Sequence, residues 1–219
     1  MVNISGFKKD ELIKMSTQKC VHGHTYLEHP NCYLLEKNKD KKIGYLDIET
    51  GGFKANFDYM LTWCIKTLGK EEYYFDVISR EDILSYTFDK NILKELINGL
   101  KNYDTIVTYY GTKFDIPFIR TRAMMNKLDF LPFGAVQHKD CYYMVRNKMS
   151  LHRNSLDSAC AALGIKGKNH IKGNYWMRAV IGDQDALAYV LDHNKKDCLI
   201  LEKLHKKLMA YVKDTTKSI

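Results

Sequence analysis

From Ile43 onward, apolar residues fall into short patterned runs whose spacing predicts alternating strands and helices. IGYLDIE (43–49) reads as a strand. DYMLTWCIKTL (58–68) and EYYFDVI (72–78) are β-rich, and Gly69-Lys70 between them suits a hairpin turn. In DKNILKELINGLKNY (89–103), apolar residues at Ile92, Leu93, Leu96, Ile97 and Leu100 have the helical period. DTIVTYYG (104–111) is a further strand, and FDIPFIRTRAMMNKL (114–128) a helix with proline in its first turn. AVQHKDCYYMV (135–145) begins as a strand. SLDSACAALGI (155–165) is a short helix ended by Gly164, and a last long helix runs roughly from Asp185 to Val212. Strands interleaved with helices in this order predict an α/β class with a mixed sheet flanked by helices.

The stretch ahead of this pattern differs from it. Residues 1–19 read as a short polar helix or irregular lead-in, 20–32 (CVHGHTYLEHPNC) are dense in Cys and His, and 36–42 (EKNKDKK) form a charged linker. The expected division is an N-terminal extension over 1–42 and a main domain over 43–219.

Composition narrows the class. With 45% hydrophobic residues, 3 Pro and 13 Gly in 219, the chain is neither disordered nor collagen-like. Its apolar runs fall far short of the ~20 residues that span a bilayer, so no membrane partner is expected. MVNISGFKKDELIKM lacks the apolar core of a signal peptide, which makes a cytoplasmic, intracellular setting the expectation. Six Cys do not argue for disulfides there, and Cys64, Cys141, Cys160 and Cys198 sit in apolar patterns as small core residues.

Charge brings in a partner. The net charge is +8, and between His138 and Arg178 eight basic residues stand against Asp140 and Asp157 alone. With Tyr142, Tyr143, Tyr175 and Trp176 nearby, this stretch suits a polyanion with stackable bases, and equally a solvated basic surface. Arg146, Lys148 and Arg153 are its candidate substrate contacts.

Three acidic signals follow. Asp47 and Glu49, two apart at the end of the first strand, project from one face, where two carboxylates repel and are costly to bury. Hard divalent cations compensate such a pair, and so does a strand end that exits into solvent. Asp115 follows Gly111 at a strand-to-helix junction, where it suits a metal site or an N-cap. His193 and Asp197 are i, i+4 on the closing helix and can address one site. Thr50, Gly51 and Gly52 suit a turn, or a close approach of backbone to a nucleotide.

The Cys/His-rich stretch carries a separate signal. Cys20-x₃-His24 and His29-x₂-Cys32 have the spacing of structural zinc pairs, with His22 as a fifth candidate able to replace His24. The expected ligands are Cys20, His24, His29 and Cys32; the other reading is a loop with free thiols.

Taken together, Asp47-Ile48-Glu49-Thr50, Gly111 through Pro117 with Asp115, and His193 with Asp197 resemble the three motifs of the DEDD 3′–5′ exonucleases. The resemblance covers about residues 43–212 and is nearest to the tyrosine-type branch related to the proofreading domain of family B DNA polymerases. That branch places Tyr with three residues between it and the last Asp; here the position holds His193, and Tyr189 lies one helical turn earlier. The resemblance implies a ribonuclease-H-like fold and two Mg²⁺ or Mn²⁺ ions held by Asp47, Glu49, Asp115 and Asp197. It also implies His193 as base, and single-stranded DNA or RNA 3′ ends as substrate. A DNA polymerase or another replication or repair protein is an implied partner. The alternative function is a non-catalytic nucleic-acid-binding or polymerase-docking module on the same fold. A ribonuclease-H-type endonuclease is a third, against which the His/Asp closing helix argues.

Overall fold

The computed structural model describes residues 9–20, 22–30, 32–33, 36, 41–167, 172–212 and 217–218. The chain divides into two compact units, Met1–Lys41 and Lys42–Ile219. In the first, helix α1 (Lys9–Thr17) leads into a turn closed by an antiparallel bridge between Lys19 and Thr25. Among the described residues its buried apolar side chains are Met15, Cys20, Tyr26 and Tyr33.

The second unit is built on a mixed sheet. Its strands are β1 (Ile43–Thr50), β2 (Met60–Thr67), β3 (Tyr73–Val77), β4 (Thr105–Thr108), β5 (Gln137–Asp140) and a two-residue β6 (Lys217–Ser218). Their spatial order is β3-β2-β1-β4-β5-β6. β1 pairs antiparallel with β2 and parallel with β4; β4 and β5 are parallel, and β3 and β6 are antiparallel to their neighbours. The helices are α2 (Arg80–Leu84), α3 (Lys90–Leu100), α4 (Asp115–Met125), α5 (Cys141–Lys148), α6 (Leu156–Ala162), α7 (Gly173–Val180) and α8 (Gln184–Leu208). None of the described helices is long and apolar enough to cross a membrane.

Side-chain alternation along the strands separates two cores. Leu46 and Ile48 of β1, Trp63 and Ile65 of β2 and Ile106 of β4 share one core with α3 and α4. Tyr45, Cys64 and Val107 share the other with α5, α6 and the C-terminal half of α8. The helical period read at Ile92, Leu93, Leu96, Ile97 and Leu100 is the buried stripe of α3. Trp63, fully buried, donates its indole N–H to the Ile92 carbonyl at 2.8 Å, so its large apolar body is buried without stranding a donor.

The structure departs from the predicted elements at four places. The strand expected to begin in 135–145 ends at Asp140, whose carboxylate accepts the Tyr142 N–H and starts α5 at Cys141. The strand expected over 104–111 stops at Thr108. The short helices α2 and α7 were not anticipated; Ser79 and Asp82 close a capping box around α2, a local hydrogen-bond signal that apolar periodicity does not register. Of the charged linker at 36–42, residues 37–40 lie outside the described residues.

One buried ion pair joins the layers. Asp89, fully buried ahead of α3, accepts the Met60 N–H at 2.9 Å and is gripped by Arg122 of α4 at 2.7 Å. Removing the carboxylate strands a buried guanidinium. Asp89→Ala is therefore expected to cost about 3–5 kcal/mol of unfolding free energy, and adding Arg122→Met should recover part of that. Urea titrations of both variants check it; a loss under about 1 kcal/mol for Asp89→Ala would show that the pair is not an anchor.

Candidate active site

β1 and β4 are paired only through Tyr45 and Val107. Beyond that point β1 keeps β2 as its neighbour, with a register shift between Glu49 and Thr50. The sheet thus opens at the carboxyl ends of two parallel strands, which is where α/β folds place their ligands. Asp47 and Glu49, both half-buried, continue the Tyr45 face into this opening.

Helix α8 packs along β1 and β2 and supplies the opposite wall. Asn194 donates its side-chain amide to Asp47 Oδ2 at 2.9 Å. His193 Nε2 lies 3.6 Å from Glu49 Oε1 and 3.7 Å from Asp197 Oδ2. Asp197 and Asn194 are buried, and His193 keeps only 12% of its side chain exposed. One carboxylate from β1 and one from α8 therefore flank one imidazole, with Asp47 held by the neighbouring Asn194.

Asp115 enters from the third side. The loop that carries it is held by Asp140, whose carboxylate accepts the N–H groups of Tyr110 at 2.8 Å, Thr112 at 2.9 Å and Tyr142 at 3.0 Å. Tyr110 takes the left-handed conformation (φ +66°), uncommon for an aromatic residue. Gly111 passes so near Thr108 that a Cβ would sit 2.2 Å from its hydroxyl oxygen, so only glycine fits. The backbone N–H groups of Asp115 itself and of Ile48 in β1 favour its carboxylate. It is buried, and desolvation, with the neighbouring Asp140 charge, pushes its pKa up to about 7 despite those two N–H groups.

Glu49, His193 and Asp197 thus meet, Asp47 lies beside them on β1, and Asp115 opens α4 beyond the end of β4. Thr50, Gly51 and Gly52 form the turn beside it. The Thr50 hydroxyl donates to the Gly52 carbonyl at 2.6 Å, and Gly51 donates its N–H to Tyr59 O at 2.9 Å. A Cβ on Gly52 would meet the Asp58 carboxylate at 2.5 Å, which accounts for the second glycine by close packing. The Gly51 carbonyl takes the Trp176 indole N–H at 3.4 Å, tying α7 to the turn. Tyr189 stacks on Tyr175 at 4.4 Å and packs α8 against α7.

The basic stretch divides. Arg146, Lys148 and Arg153 are exposed; Lys139 is buried; Arg178 is paired with Asp183 at 2.9 Å; and Lys168 lies outside the described residues. Sequence reasoning missed Asn194 and Asp140. Asn194 is three positions ahead of Asp197 and so on its helical face, a signal within reach. Asp140 acts through a backbone contact across β4 and β5, and no sequence spacing announces it.

In the first unit, the predicted ligand set is corrected at one position. The group whose donor atoms all lie within 4.8 Å of one another is Cys20, His22, His29 and Cys32, and it can hold a metal ion. His24 is outside it, with its ring tilted against His29 at 4.6 Å. The turn between Cys20 and His24 is closed by the Cys20 N–H to His24 O bond at 2.8 Å, which uses the His24 backbone.

A family model described as RNase_H superfamily matches residues 44–209. Over 41 residues the chain is 42% identical to a DNA polymerase of Methanocaldococcus jannaschii, a match covering 19% of this chain and 2% of that protein. Its fold is similar to that of the family B DNA polymerase from the hyperthermophilic archaeon Pyrobaculum calidifontis. The TM-score is 0.63 at 18% identity, over 77% of this chain and 24% of that one. The chain therefore spans a small part of the length of either polymerase.

The raised Asp115 pKa has a consequence for stability. An unfolded Asp titrates near 3.9, so between about pH 4 and pH 7 the fold binds a proton that the unfolded chain has lost. Stability from this group is full below pH 4 and is lost as pH rises through 7. In protein freed of divalent ions, Asp115→Asn should match wild type near pH 4. It should exceed it at pH 8 by up to about 4 kcal/mol, three pKa units at 1.36 each. Urea unfolding followed by fluorescence reads this out, since Trp63 and Trp176 both lie in the second unit. A wild-type/variant difference independent of pH would show that Asp115 is ionised in the fold throughout.

Proposed function

The chain belongs to the RNase_H superfamily, and from that premise we propose that its second unit is a metal-dependent 3′–5′ exonuclease acting on single-stranded nucleic acid. The observation that carries this reading is the meeting of Glu49, His193 and Asp197, with Asp47 beside them on β1 and Asp115 at the start of α4, where the β1–β4 pairing has ended. The similarity to parts of DNA polymerases supports DNA over RNA as substrate, and supports association with a polymerase or another replication or repair protein.

Asp47, Glu49, Asp115 and Asp197 offer hard oxygen donors from three elements, a set that suits Mg²⁺ or Mn²⁺. When bound, a pair of such ions supplies an activated water and charge stabilisation at the leaving 3′ oxygen. The raised pKa of Asp115 fits this use, because a carboxylate awaiting a cation is costly to ionise alone. His193 Nε2, between Glu49 and Asp197, is placed to take a proton from the attacking water. Asn194 orients Asp47. Asp140 holds the loop from which Asp115 enters. The Thr50–Gly52 turn presents backbone to the terminal nucleotide, and Arg146, Lys148 and Arg153 draw the strand in through its phosphates.

Asp47→Ala and Asp197→Ala should each abolish release of mononucleotides from end-labelled single-stranded DNA in Mg²⁺ or Mn²⁺, with the fluorescence of the fold unchanged. His193→Ala should slow release by about 10²-fold, and His193→Tyr, which restores the tyrosine-type motif, should stay active. Near wild-type turnover by Asp47→Ala, or internal fragments without mononucleotides, would overturn the reading. Binding to single strands should weaken steeply with salt. Neutralising Arg146, Lys148 and Arg153 together should lower the slope of log K against log salt by about 2, at roughly 0.7 per phosphate contact. An unchanged slope would remove these three residues from the binding surface.

A further inference from the structure

Among its described residues the first unit buries little apolar material. Among the described residues its core consists of Met15, Cys20, Tyr26 and Tyr33, with Cys32 packed against them. Units of about 40 residues or fewer usually need a disulfide, a metal or a partner to hold their shape. All six cysteines are free thiols, so the disulfide route is not taken. Beside that small core, with Cys20 buried and His22 exposed, stand two sulfurs and two imidazole nitrogens that the backbone has brought together from two turns.

Their spacing is informative. Cys20 Sγ lies 3.7 Å from His22 Nδ1 and 3.6 Å from His29 Nδ1. Cys32 Sγ lies 3.4 Å from His22 Nδ1 and 3.9 Å from His29 Nδ1. An ion that binds sulfur at about 2.3 Å and nitrogen at 2.0–2.1 Å with tetrahedral angles separates those atoms by about 3.6 Å. The four sulfur–nitrogen edges scatter around that length. A thiol pair poised for a disulfide would need only the two sulfurs, and would leave unexplained why both imidazoles aim the same ring nitrogen at both of them.

We propose that the first unit is built around one Zn²⁺ held by Cys20 Sγ, His22 Nδ1, His29 Nδ1 and Cys32 Sγ, and that the unit folds only with the metal bound. The set of two sulfurs and two nitrogens, closed by four protein ligands, is that of a structural rather than a catalytic zinc site. The local sequence explains the assembly. The Lys19–Thr25 bridge and the Cys20 N–H to His24 O bond fold residues 20–24 into a tight turn that presents Cys20 and His22. Thr25 donates its N–H and hydroxyl to Glu28 at 2.7 and 2.8 Å, and His29 N–H returns to Thr25 O at 2.9 Å. The next turn, with Cys32 N–H on His29 O at 3.0 Å, presents His29 and Cys32. His24 covers the His29 ring without ligating. Ligation through Nδ1 leaves Nε2 protonated on both imidazoles, which fixes their tautomers.

This site is independent of the proposed nuclease chemistry, and its test does not rely on activity. Full-length protein, purified without chelators, is analysed for metal and then reconstituted with Co²⁺ alone. The expected result is about one zinc per chain, and a tetrahedral thiolate-bound cobalt spectrum. Both should be lost in Cys20→Ser, Cys32→Ser and His22→Ala and kept in His24→Ala. Nitrogen NMR should show His22 and His29 as fixed Nε2–H tautomers. Stripping the metal should expose the first unit to proteolysis while Trp63 and Trp176 fluorescence from the second stays native, so loss of zinc is separable from general unfolding. Protein without zinc, a Cys20–Cys32 disulfide in reduced preparations, metal that survives His22→Ala but not His24→Ala, or a first unit equally protected with and without metal would each overturn the proposal.

Discussion

Two carboxylates spaced two apart on the central strand of a buried sheet set the terms for the second unit. Asp47 and Glu49 share a face with Tyr45, which is fully buried, so the same alternation that buries Tyr45 drives both acids toward the interior. Two uncompensated carboxylates there would unfold the sheet. The fold resolves this by ending the β1–β4 pairing at Tyr45 and Val107, so that the acids emerge where the sheet has parted. The side chains that meet them come from α8: Asn194 donates to Asp47, and the His193 ring lies 3.6 Å from Glu49.

The position of α8 over that opening is decided well below it. Leu201, Leu204 and Leu208 are buried in the core that includes Tyr45, Cys64 and Val107. The Tyr45 hydroxyl is 3.0 Å from His205 Nδ1, and Cys198 Sγ donates to the Cys64 carbonyl at 3.3 Å. Lys66 on β2 meets Glu202 at 2.5 Å, and Glu202 also accepts the Gly69 N–H at 3.0 Å. The Lys66 and Lys206 ammonium groups with that N–H hold its pKa below the usual carboxylate range against the cost of burial. These contacts fix the rotation of a 25-residue rigid helix, and rotation alone determines that His193, Asn194 and Asp197 face β1. Packing two to three turns away is thereby converted into site geometry.

The two units illustrate opposite solutions to stability. The second buries two cores on a sheet and tolerates a cluster of acids because that burial is large. Among its described residues the first buries four apolar side chains and gathers two sulfurs and two nitrogens. Where apolar area is scarce, a bound metal is a general substitute for a core, and this group could hold one.

Much of this was legible in the chain. Period 2 around Tyr45 to Glu49 and period 3.6 through α3 and α8 required only side-chain sterics and the burial of apolar surface, both local in sequence. The acid–histidine set was legible because each member sits at a strand end, a helix start or an i, i+4 pair. The structure alone decided what depends on distant residues meeting. Asp140 could be identified as the clamp on the Tyr110–Thr112 loop only after β4 and β5 had paired, because its partners are backbone amides, which every residue carries. The exposure of Arg146, Lys148 and Arg153, against the burial of Lys139 and the pairing of Arg178, followed from packing that net charge does not encode. His22 in place of His24 was the finest case. Spacing admits either ring, and the choice falls to the direction in which a five-residue turn, closed by the His24 carbonyl, points its side chains.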